Sequence, residues 1–448
     1  MEKAFAYVDK NFEKLVQELQ DICKQPSIAA QNIGMKETAA MIVAKMQSLG
    51  IDAQVIPIEN GYPVIFGGIQ GKSDKTILFY NHYDVQPPEP LDKWSSPPFA
   101  ADIRDGKLYA RGVADNKGSL YSRLQALEAI LATGDELPIN IKFLVEGEEE
   151  IGSPNLENFV LGHKDMLRAD ACIWESGHKD ENDNPMTRLG NKGIAYLQLN
   201  VKTAETDFHS RMAPVIPNAA WRLVWALSTL KDVNDQILID GFYDRIQPIS
   251  EEELEALKAM PSQEGKLRHR AGIETFINDV SGLEFTNRLY NSPTCTICGF
   301  ESGYTGEGQK TVLPCTAMAK IDFRLVVDQD PEEIQQLLRE HLDRHGFSDI
   351  EIEPLSMYPP AKTSLKMPFV DILRESAACV YDKPLVVEPT ATGSGPRFVF
   401  SSWTDMPIAG LGPGYAGALV HAPNENIRLQ DYKEAIKHII ALLNRFSQ

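Results

Sequence analysis

The first part of the chain alternates between helical and strand-like hydrophobic patterns. Apolar residues recur with the 3.6-residue period of a helix from Phe12 to Ile22, and Pro26 ends this run. A second helical pattern covers 39–49 and stops at Gly50. The segments that follow are KTILFY at 75–80, a helical pattern over 120–131, INIKFLV at 139–145 and ADACIW at 169–174. Continuous apolar strands that alternate with helices predict an α/β fold with a mixed, largely parallel sheet covered by helices.

Near residue 190 the pattern changes to the alternation that is typical of half-solvated strands. LGNKGIAYLQLNV at 189–201 and TAMAKIDFRLV at 316–326 each place every second residue on an apolar face. A helix follows from Pro331 to Gly346, and these are residue types that favour a helix start and a helix end. Helices beside an antiparallel sheet predict an α+β unit in this part of the chain.

The change of pattern predicts two domains. The α+β unit, over 195–360, is inserted into a larger domain that consists of 1–194 and 361–448. The larger domain ends in a helix with an apolar period over 432–443. The segment 248–292 is charged and irregular, and no element is assigned to it.

Composition and net charge exclude some architectures and some classes of binding partner. Of the 448 residues, 43% are hydrophobic and 24% are charged, as in ordinary globular proteins, so disorder and low-complexity architecture are excluded. Lys and Arg number 44 against 63 Asp and Glu, which gives a formal net charge of −19. An acidic surface of this kind repels phosphate backbones and anionic lipid, so we expect no nucleic-acid partner and no membrane partner.

Cysteine content and hydropathy indicate the compartment. Six cysteines are too few for a disulfide scaffold in a chain of 448 residues. The first residues are charged throughout and lack the apolar centre of a signal peptide. No stretch approaches the roughly 18 uninterrupted apolar residues of a membrane-spanning helix. A reducing, cytoplasmic setting is therefore expected.

Residues with metal-binding chemistry follow the predicted strands. They are His82 and Asp84 after the first strand, Glu148, Glu149 and Glu150 after the second, and Glu175 after the third. The carboxyl ends of strands are where ligands bind in α/β sheets. Imidazole is a good ligand for zinc, and a nearby carboxylate can hold its other ring nitrogen. Taken one at a time, these segments have simpler explanations: a polar turn after a strand for the segment with His82, or a solvated acidic loop for the three glutamates.

Two further segments extend this set. Asp115 precedes the helix that begins near residue 118, where capping of the helix is the simpler explanation for it. His421 lies in a loop bounded by Gly and Pro before the last helix. Taken together, two histidines and several carboxylates at strand ends are the ligand set of a hydrolytic site with two metal ions, in which one carboxylate bridges the ions.

Several motifs together resemble one known family. They are NHYDVQPPEPLDKWSSPPF, DGKLYARGVADNKG, LVEGEEEIGS, DFHS, KTVLP, DFRLV and HAPNENI. In this order they resemble the di-metal aminoacylase and carnosinase family of peptidases, which includes acetylornithine deacetylase, succinyl-diaminopimelate desuccinylase and carboxypeptidases of the glutamate type. The resemblance runs from the first helix to the last. It implies a di-zinc exopeptidase-like catalytic domain with an inserted ferredoxin-like domain that serves as lid and dimerisation domain.

The resemblance also implies a role for each residue at the metal site. His82, Asp115 and Glu175 would hold one ion, and Asp115 would bridge to a second ion held by Glu150 and His421. Glu149 resembles the general base that activates a metal-bridging hydroxide, and Asp84 resembles the group that orients His82. Two divalent metal ions per chain are implied, zinc first, with manganese or cobalt as alternatives.

The resemblance assigns further residues to the substrate. His209 resembles a histidine that reaches the active site of the partner subunit and stabilises the oxyanion, which implies a homodimer. Arg324 resembles a residue that pairs with a substrate carboxylate. Ser394, between Gly393 and Gly395, resembles a glycine-rich loop that binds substrate. From the residues alone, a surface histidine is the better explanation of His209, and a strand arginine paired with local acids explains Arg324 equally well. A plain glycine turn is the alternative explanation of the loop at Ser394.

These observations predict a di-metal hydrolase that cleaves the amide bond of dipeptides or small peptides. An N-acyl-amino-acid deacylase remains the alternative, because Glu175 stands where carnosinase-like members usually have Asp and the loop around Ser394 also departs from their pattern. A catalytically inactive binding protein is disfavoured, because every ligand and base position holds a competent residue. Cys295 and Cys298 form a lone Cys-x-x-Cys pair, which we interpret as packing.

Overall fold

The computed structural model describes the whole chain, Met1–Gln448, as two compact units. The first unit contains residues 1–190, 363–389 and 399–448, and the second contains residues 191–362 and 390–398. The second unit therefore includes 390–398, a segment within the 361–448 part of the predicted catalytic domain. Each unit has its own hydrophobic core.

The chain up to residue 190 builds most of the first unit. Its elements are α1 (Glu2–Lys24), α2 (Met35–Ser48), β1 (Asp52–Ile56), β2 (Val64–Ile69), β3 (Ser73–His82), β4 (Asp102–Arg104), β5 (Lys107–Tyr109), α3 (Gly118–Leu131), β6 (Ile139–Glu146), α4 (Leu156–Gly162), α5 (Lys164–Leu167), β7 (Ala171–Trp174), β8 (His178–Lys179) and β9 (Pro185–Arg188). The helix at the start and the three apolar strands lie where the hydrophobic pattern predicts them.

The middle of the chain contains the elements of the second unit. They are β10 (Gly190–Asn191), β11 (Gly193–Lys202), β12 (Phe208–His209), α6 (Ala219–Leu227), α7 (Glu251–Ala259), α8 (Glu264–Ala271), α9 (Gly282–Asn291), β13 (Thr296–Ser302), β14 (Val312–Leu313), β15 (Thr316–Leu325), α10 (Pro331–Arg344), β16 (Glu351–Tyr358) and β17 (Ala361–Lys362).

The rest of the chain returns to the first unit, except for residues 390–398. Its elements are α11 (Pro368–Ala378), β18 (Val386–Glu388), α12 (Phe398–Ser401), β19 (Ile408–Gly410), β20 (Gly414–Tyr415), β21 (Asn426–Arg428) and α13 (Leu429–Phe446). None of the helices in the chain is both long and apolar enough to cross a bilayer.

The main sheet of the first unit has six strands in the order β1-β2-β6-β3-β7-β19. The pairs β3–β6, β3–β7 and β7–β19 are parallel, whereas β1 and β2 add to the edge in antiparallel fashion. The predicted mixed, largely parallel α/β sheet is confirmed. Residues 77–82 of β3 are all buried, as expected of a strand that is covered on both faces, and this explains the continuous apolar run. The strands β3, β6 and β7 end side by side, with His82 opposite Glu146.

The second unit is built on an antiparallel sheet in the order β13-β15-β11-β16. In β11 and β15 buried residues alternate with partly exposed ones, as the alternating pattern predicts. The buried face forms one core with residues of α6 and α10.

The segment 248–292, to which no element was assigned from sequence, contains α7, α8 and α9. These helices have only 9, 8 and 10 residues and bury two side chains at most. Helices of about two turns that bury so few side chains offer few apolar positions, so they are hard to recognise from the hydrophobic pattern.

A buried carboxylate connects three helices of the first unit. Glu128 on α3 accepts hydrogen bonds from the Tyr7 hydroxyl at 2.9 Å, from Lys14 Nζ at 2.7 Å and from Lys45 Nζ at 2.5 Å. Burial acts to raise the pKa of Glu128, but the two ammonium groups outweigh burial and hold this pKa below its usual value. A carboxyl group with a depressed pKa stabilises the fold above its usual pKa, and this contribution is lost as the pH falls.

We therefore expect Glu128→Gln to lower the free energy of unfolding by about 1–3 kcal/mol at pH 7, since the lysines lose their charged partner. The difference between variant and wild type should stay constant down to about pH 5 and shrink as the pH falls below about 4, through the depressed pKa of Glu128 in the folded protein. Urea unfolding of the metal-free variant and wild-type proteins over this pH range measures the free energy of unfolding of each. A loss of stability that does not change with pH would contradict the conclusion that the charged form of Glu128 stabilises the fold.

Candidate metal centre

Six of the predicted site residues converge at the carboxyl edge of the main sheet. His82 is the last residue of β3, Asp115 precedes α3, and Glu175 directly follows β7. The others are Glu149 and Glu150, just after β6, and His421, in the loop before β21. The ligand atoms of His82, Asp115 and Glu150 lie within 4.8 Å of one another, and so do those of His82, Glu149 and Glu175.

One half of the centre surrounds His82. Its ring is completely buried, and Nε2 lies 3.0 Å from Asp115 Oδ1 and 3.6 Å from Glu175 Oε2. The other ring nitrogen, Nδ1, lies 3.1 Å from the backbone oxygen of Asp84. Because Nδ1 faces the protein, Nε2 is the nitrogen that points at the carboxylates.

The other half surrounds His421, whose side chain is 52% exposed. Its Nε2 lies 3.2 Å from Asp115 Oδ2 and 3.1 Å from Glu150 Oε2. The backbone of His421 has a φ of 61°, in the left-handed region that non-glycine residues rarely adopt. The two oxygens of Asp115 therefore face two different histidines, which is the arrangement by which one carboxylate can bridge two cations.

The charge of the centre fits divalent cations. Burial and the neighbouring Glu175 raise the pKa of Glu149 well above its usual value. Burial opposes the protonation of His82, but Asp115 and Asp84 raise its pKa well above the usual value. Hydrogen bonds to Asp115 and Glu150 raise the pKa of His421 to about 10. The cluster thus attracts positive charge strongly, and its imidazole and carboxylate donors suit zinc and similar ions.

The three consecutive glutamates have three different environments. Glu148 is buried and accepts hydrogen bonds from the backbone N–H of Tyr62 at 3.0 Å and from Asn155 Nδ2 at 2.8 Å. Glu150 accepts a hydrogen bond from Gln86 Nε2 at 2.9 Å and faces His421. Glu149 belongs to the group of His82 and Glu175. The three glutamates of this one motif therefore differ in their hydrogen-bond partners and in their position relative to the two histidines.

Asp84 contacts more than the histidine it was expected to orient. Its Oδ1 is 3.4 Å from His82 Nδ1. The two carboxylate oxygens accept hydrogen bonds from the backbone N–H groups of Glu149, at 3.2 Å, and Glu150, at 2.9 Å. Asp84 thus connects the end of β3 to the glutamate turn, in addition to contacting the imidazole.

Sequence analysis missed a buried arginine beneath the centre. Arg123 on α3 is fully buried and donates hydrogen bonds to the backbone oxygen of Tyr80 at 2.6 Å, to that of Trp174 at 2.5 Å and to Asn81 Oδ1 at 2.5 Å. The amide of Asn81 in turn bonds Asn116. These partners lie within two residues of His82, Asp115 or Glu175 in the sequence. The one signal in the sequence is a charged residue within the apolar helix 120–131.

The predicted substrate residues lie in the second unit. Arg324 Nη1 is 2.9 Å from Ser394 Oγ, and Arg324 Nε is 3.1 Å from Asp322 Oδ2. The hydroxyl of Ser394 donates to the backbone oxygen of Gly193 at 2.9 Å. The backbone oxygens of Gly393 and Gly395 accept hydrogen bonds from Lys192 N and Asn191 Nδ2. The structure thus brings Arg324 and the Gly393–Gly395 loop together, although they are 70 residues apart in the chain.

His209 also lies in the second unit, on β12, which pairs with β14. The residue is exposed; its Nδ1 accepts a hydrogen bond from the backbone N–H of Arg211, and its Nε2 lies 3.3 Å from Thr311 Oγ1. Its role in a partner subunit stays a prediction. Of the cysteine pair, Cys295 is buried and Cys298 is exposed, and burial raises the pKa of Cys295 to about 12.

Comparison with curated proteins identifies relatives that cover most of the chain. The Beta-Ala-His dipeptidase of Homo sapiens is 31% identical over 370 residues, which are 77% of this chain and 71% of the relative. The Cys-Gly metallodipeptidase dug1 of Schizosaccharomyces pombe is 27% identical over 364 residues, which are 77% of this chain and 76% of the relative.

Solved structures with the same fold were also found. The M20 family metallo-carboxypeptidase Sso-CP2 from Sulfolobus solfataricus is 38% identical, with a TM-score of 0.90 over 97% of this chain and 99% of that chain. Human carnosine dipeptidase 1 is 26% identical, with a TM-score of 0.77 over 100% of this chain and 99% of that chain. The family model for Peptidase family M20/M25/M40 matches residues 78–445. The chain therefore belongs to peptidase family M20/M25/M40.

Proposed function

We propose that the chain is a metallodipeptidase that hydrolyses the amide bond of dipeptides or other small peptides and uses two divalent cations per chain. The observation that carries the proposal is the position of Asp115, whose two oxygens face His82 and His421 at 3.0 and 3.2 Å. The relatives named Beta-Ala-His dipeptidase and Cys-Gly metallodipeptidase support this substrate class.

His82, Asp115 and Glu175 would hold one ion, and Asp115, Glu150 and His421 would hold the other. Zinc is the first candidate for this set of nitrogen and oxygen donors, and manganese and cobalt are alternatives. When bound, the ions supply Lewis acidity to the scissile carbonyl and lower the pKa of the attacking water. The protein contributes the fixed spacing of the donors and the proton transfers.

Glu149 is proposed as the general base and acid. Its carboxylate takes a proton from the water that attacks the carbonyl carbon, and then delivers this proton to the amide nitrogen as the C–N bond breaks. Its carboxylate lies in one group with His82 and Glu175, so it stands beside the ion that these two residues would hold. No covalent intermediate with the protein is required.

Arg324 and Ser394 are proposed to bind the carboxylate of the substrate. The guanidinium has five N–H donors, and its contacts with Asp322 and Ser394 fix the orientation of the group. A binding site for a free carboxylate can bind dipeptides, but it can equally bind N-acyl amino acids and the carboxyl terminus of longer peptides.

A carboxypeptidase is the second candidate function. The solved structure with 38% identity is described as a metallo-carboxypeptidase. Glu175 also agrees with this branch, because Glu is usual at that position in the carboxypeptidase and deacylase branches, whereas carnosinase-like members usually have Asp. A carboxypeptidase would remove the last residue of longer peptides, whereas a dipeptidase would leave them intact.

We also propose that the active enzyme is a homodimer in which His209 acts in the site of the partner subunit. The second unit offers an apolar surface that suits a second copy of the chain. Trp221 and Trp225 on α6 stack with their ring centroids 5.8 Å apart and are 57% and 54% exposed. The six free cysteines support a reducing compartment, such as the cytoplasm.

The substrate class can be tested with a reconstituted enzyme. We expect dipeptides to be hydrolysed with a kcat/KM at least tenfold above that of N-acetyl and N-succinyl amino acids and of tetrapeptides, a difference of about 1.4 kcal/mol in transition-state stabilisation. Mass spectrometry of the products measures all three classes in one mixture. Faster release of the last residue from tetrapeptides would favour the carboxypeptidase, and faster deacylation would favour the deacylase.

The glutamate series tests the assignment of the base. Glu149→Gln should lower kcat by roughly 100-fold or more while both ions stay bound, because only proton transfer is lost. Glu150→Gln should instead weaken the binding of one ion. Glu148→Gln is the matched control, and it should keep metal and most activity, since this side chain bonds Tyr62 and Asn155 outside the centre.

Metal content by atomic emission and single-substrate kinetics distinguish these three variants. An inactive Glu148→Gln enzyme with both ions bound, beside an active Glu149→Gln enzyme, would show that the roles within the triplet are shifted by one residue.

The shared active site can be tested by mixing two inactive variants. His209→Ala should lower kcat strongly, since a lost oxyanion donor costs about 3–4 kcal/mol, without changing metal content. When His209→Ala and Glu149→Gln chains exchange subunits, one intact site per mixed dimer should form, and activity should return. Native mass spectrometry verifies the exchange. Mixed dimers without activity, or an active monomer, would refute the role of His209 in the partner's site.

A further inference from the structure

Glu425 is a buried carboxylate that neither the sequence analysis nor the proposed mechanism uses. It lies in the loop between His421 and β21, and its relative exposure is 1%. A charged group at this depth requires several hydrogen-bond partners. All of its side-chain partners come from one short segment of the chain, 111–115.

The carboxylate of Glu425 accepts four hydrogen bonds. Its Oε2 accepts from Arg111 Nη1 at 2.7 Å and from the backbone N–H of Gly112 at 2.9 Å. Its Oε1 accepts from the backbone N–H groups of Ala114, at 2.9 Å, and Asp115, at 3.1 Å. The backbone oxygen of Glu425 accepts a further bond from Ala110. The segment before α3 is therefore folded around this one side chain.

The bond to the Asp115 N–H matters because of the backbone at that residue. Asp115 has φ −131° and ψ 89°, outside the helical region that its neighbours occupy. This conformation sets the direction in which the Asp115 side chain leaves the backbone, so that one oxygen meets His82 and the other meets His421. Four residues before Glu425, His421 itself has a φ of 61°.

We propose that Glu425 is a positioning residue for the metal centre: it fixes the bridging carboxylate of Asp115 relative to His421, and thereby sets the affinity of the centre for both cations. The inference rests on the metal-binding part of the proposed function, and not on the identity of the substrate. Two accepting oxygens are required, because all four partners are donors, and a neutral amide would keep one oxygen but direct its N–H groups at two of these donors.

The test compares Glu425→Gln and Glu425→Asp with the control Glu128→Gln in the full chain. Glu128 is also a buried carboxylate with several donors, but these donors lie on α1 and α2. The measurements are the affinity for Co²⁺ by competition with a chelator, the visible spectrum of the Co²⁺ protein, kcat and KM, and thermal unfolding without metal.

We expect Glu425→Gln to bind Co²⁺ about 10- to 100-fold more weakly than wild type and to change the visible spectrum, as outer partners of metal ligands do. At saturating metal, kcat should fall while KM stays within about threefold, because substrate contacts are unchanged. Glu128→Gln should keep the affinity and spectrum of wild type, although it is less stable. Glu425→Asp retains the charge but not the reach, and it should also bind more weakly.

Wild-type affinity and spectrum in a folded Glu425→Gln protein would overturn the proposal and leave Glu425 a structural role only. If this variant does not fold, Glu425→Asp decides the question by the same measurements. Wild-type protein that binds two Co²⁺ but cleaves no peptide would refute the proposed function without touching the role of Glu425. Wild-type protein that binds no Co²⁺ would refute both.

Discussion

The central constraint in this molecule is the crowding of negative charge at one edge of a sheet. Four carboxylates, those of Asp115, Glu149, Glu150 and Glu175, meet around two imidazoles, and like charges at these distances repel one another unless cations or protons compensate. The pKa values of His421 and Glu149 are raised because a proton on either group reduces this repulsion. A pair of divalent cations would compensate this charge and would supply the Lewis acidity that amide hydrolysis needs.

The surrounding structure holds the crowded groups in place through backbone bonds. Arg123 bonds the carbonyl groups that precede His82 and Glu175, and Asp84 bonds the N–H groups of the glutamate turn. These supports are buried and belong to helices and strand ends, so they hold the ligands close together. The arrangement agrees with the general rule that sites on rigid elements are more accurate than sites on free loops.

The sequence alone predicts the helices and strands that have a clear hydrophobic period, and the candidate site residues at the ends of those strands. It placed β3, β6 and β7 and the histidine and glutamates that follow them, whereas Asp115 alone read more simply as a helix cap. The residue types alone could not distinguish Glu148 from Glu149, because three adjacent glutamates differ only in the neighbours that the fold provides, and the assignment of the base to Glu149 came from the family resemblance. Sequence analysis missed Arg123, since a hydrophobic period reports burial and not hydrogen-bond partners. It also missed the helices of 248–292, since helices of about two turns with few buried side chains offer few apolar positions.

The central claim is that Asp115 bridges two cations. Crystals of the zinc-reconstituted protein, measured with X-rays on both sides of the zinc absorption edge, test it most directly. The account predicts two anomalous peaks, one between His82 and Asp115 Oδ1 and the other between His421 and Asp115 Oδ2. A single peak, or two peaks of which only one touches Asp115, would contradict it.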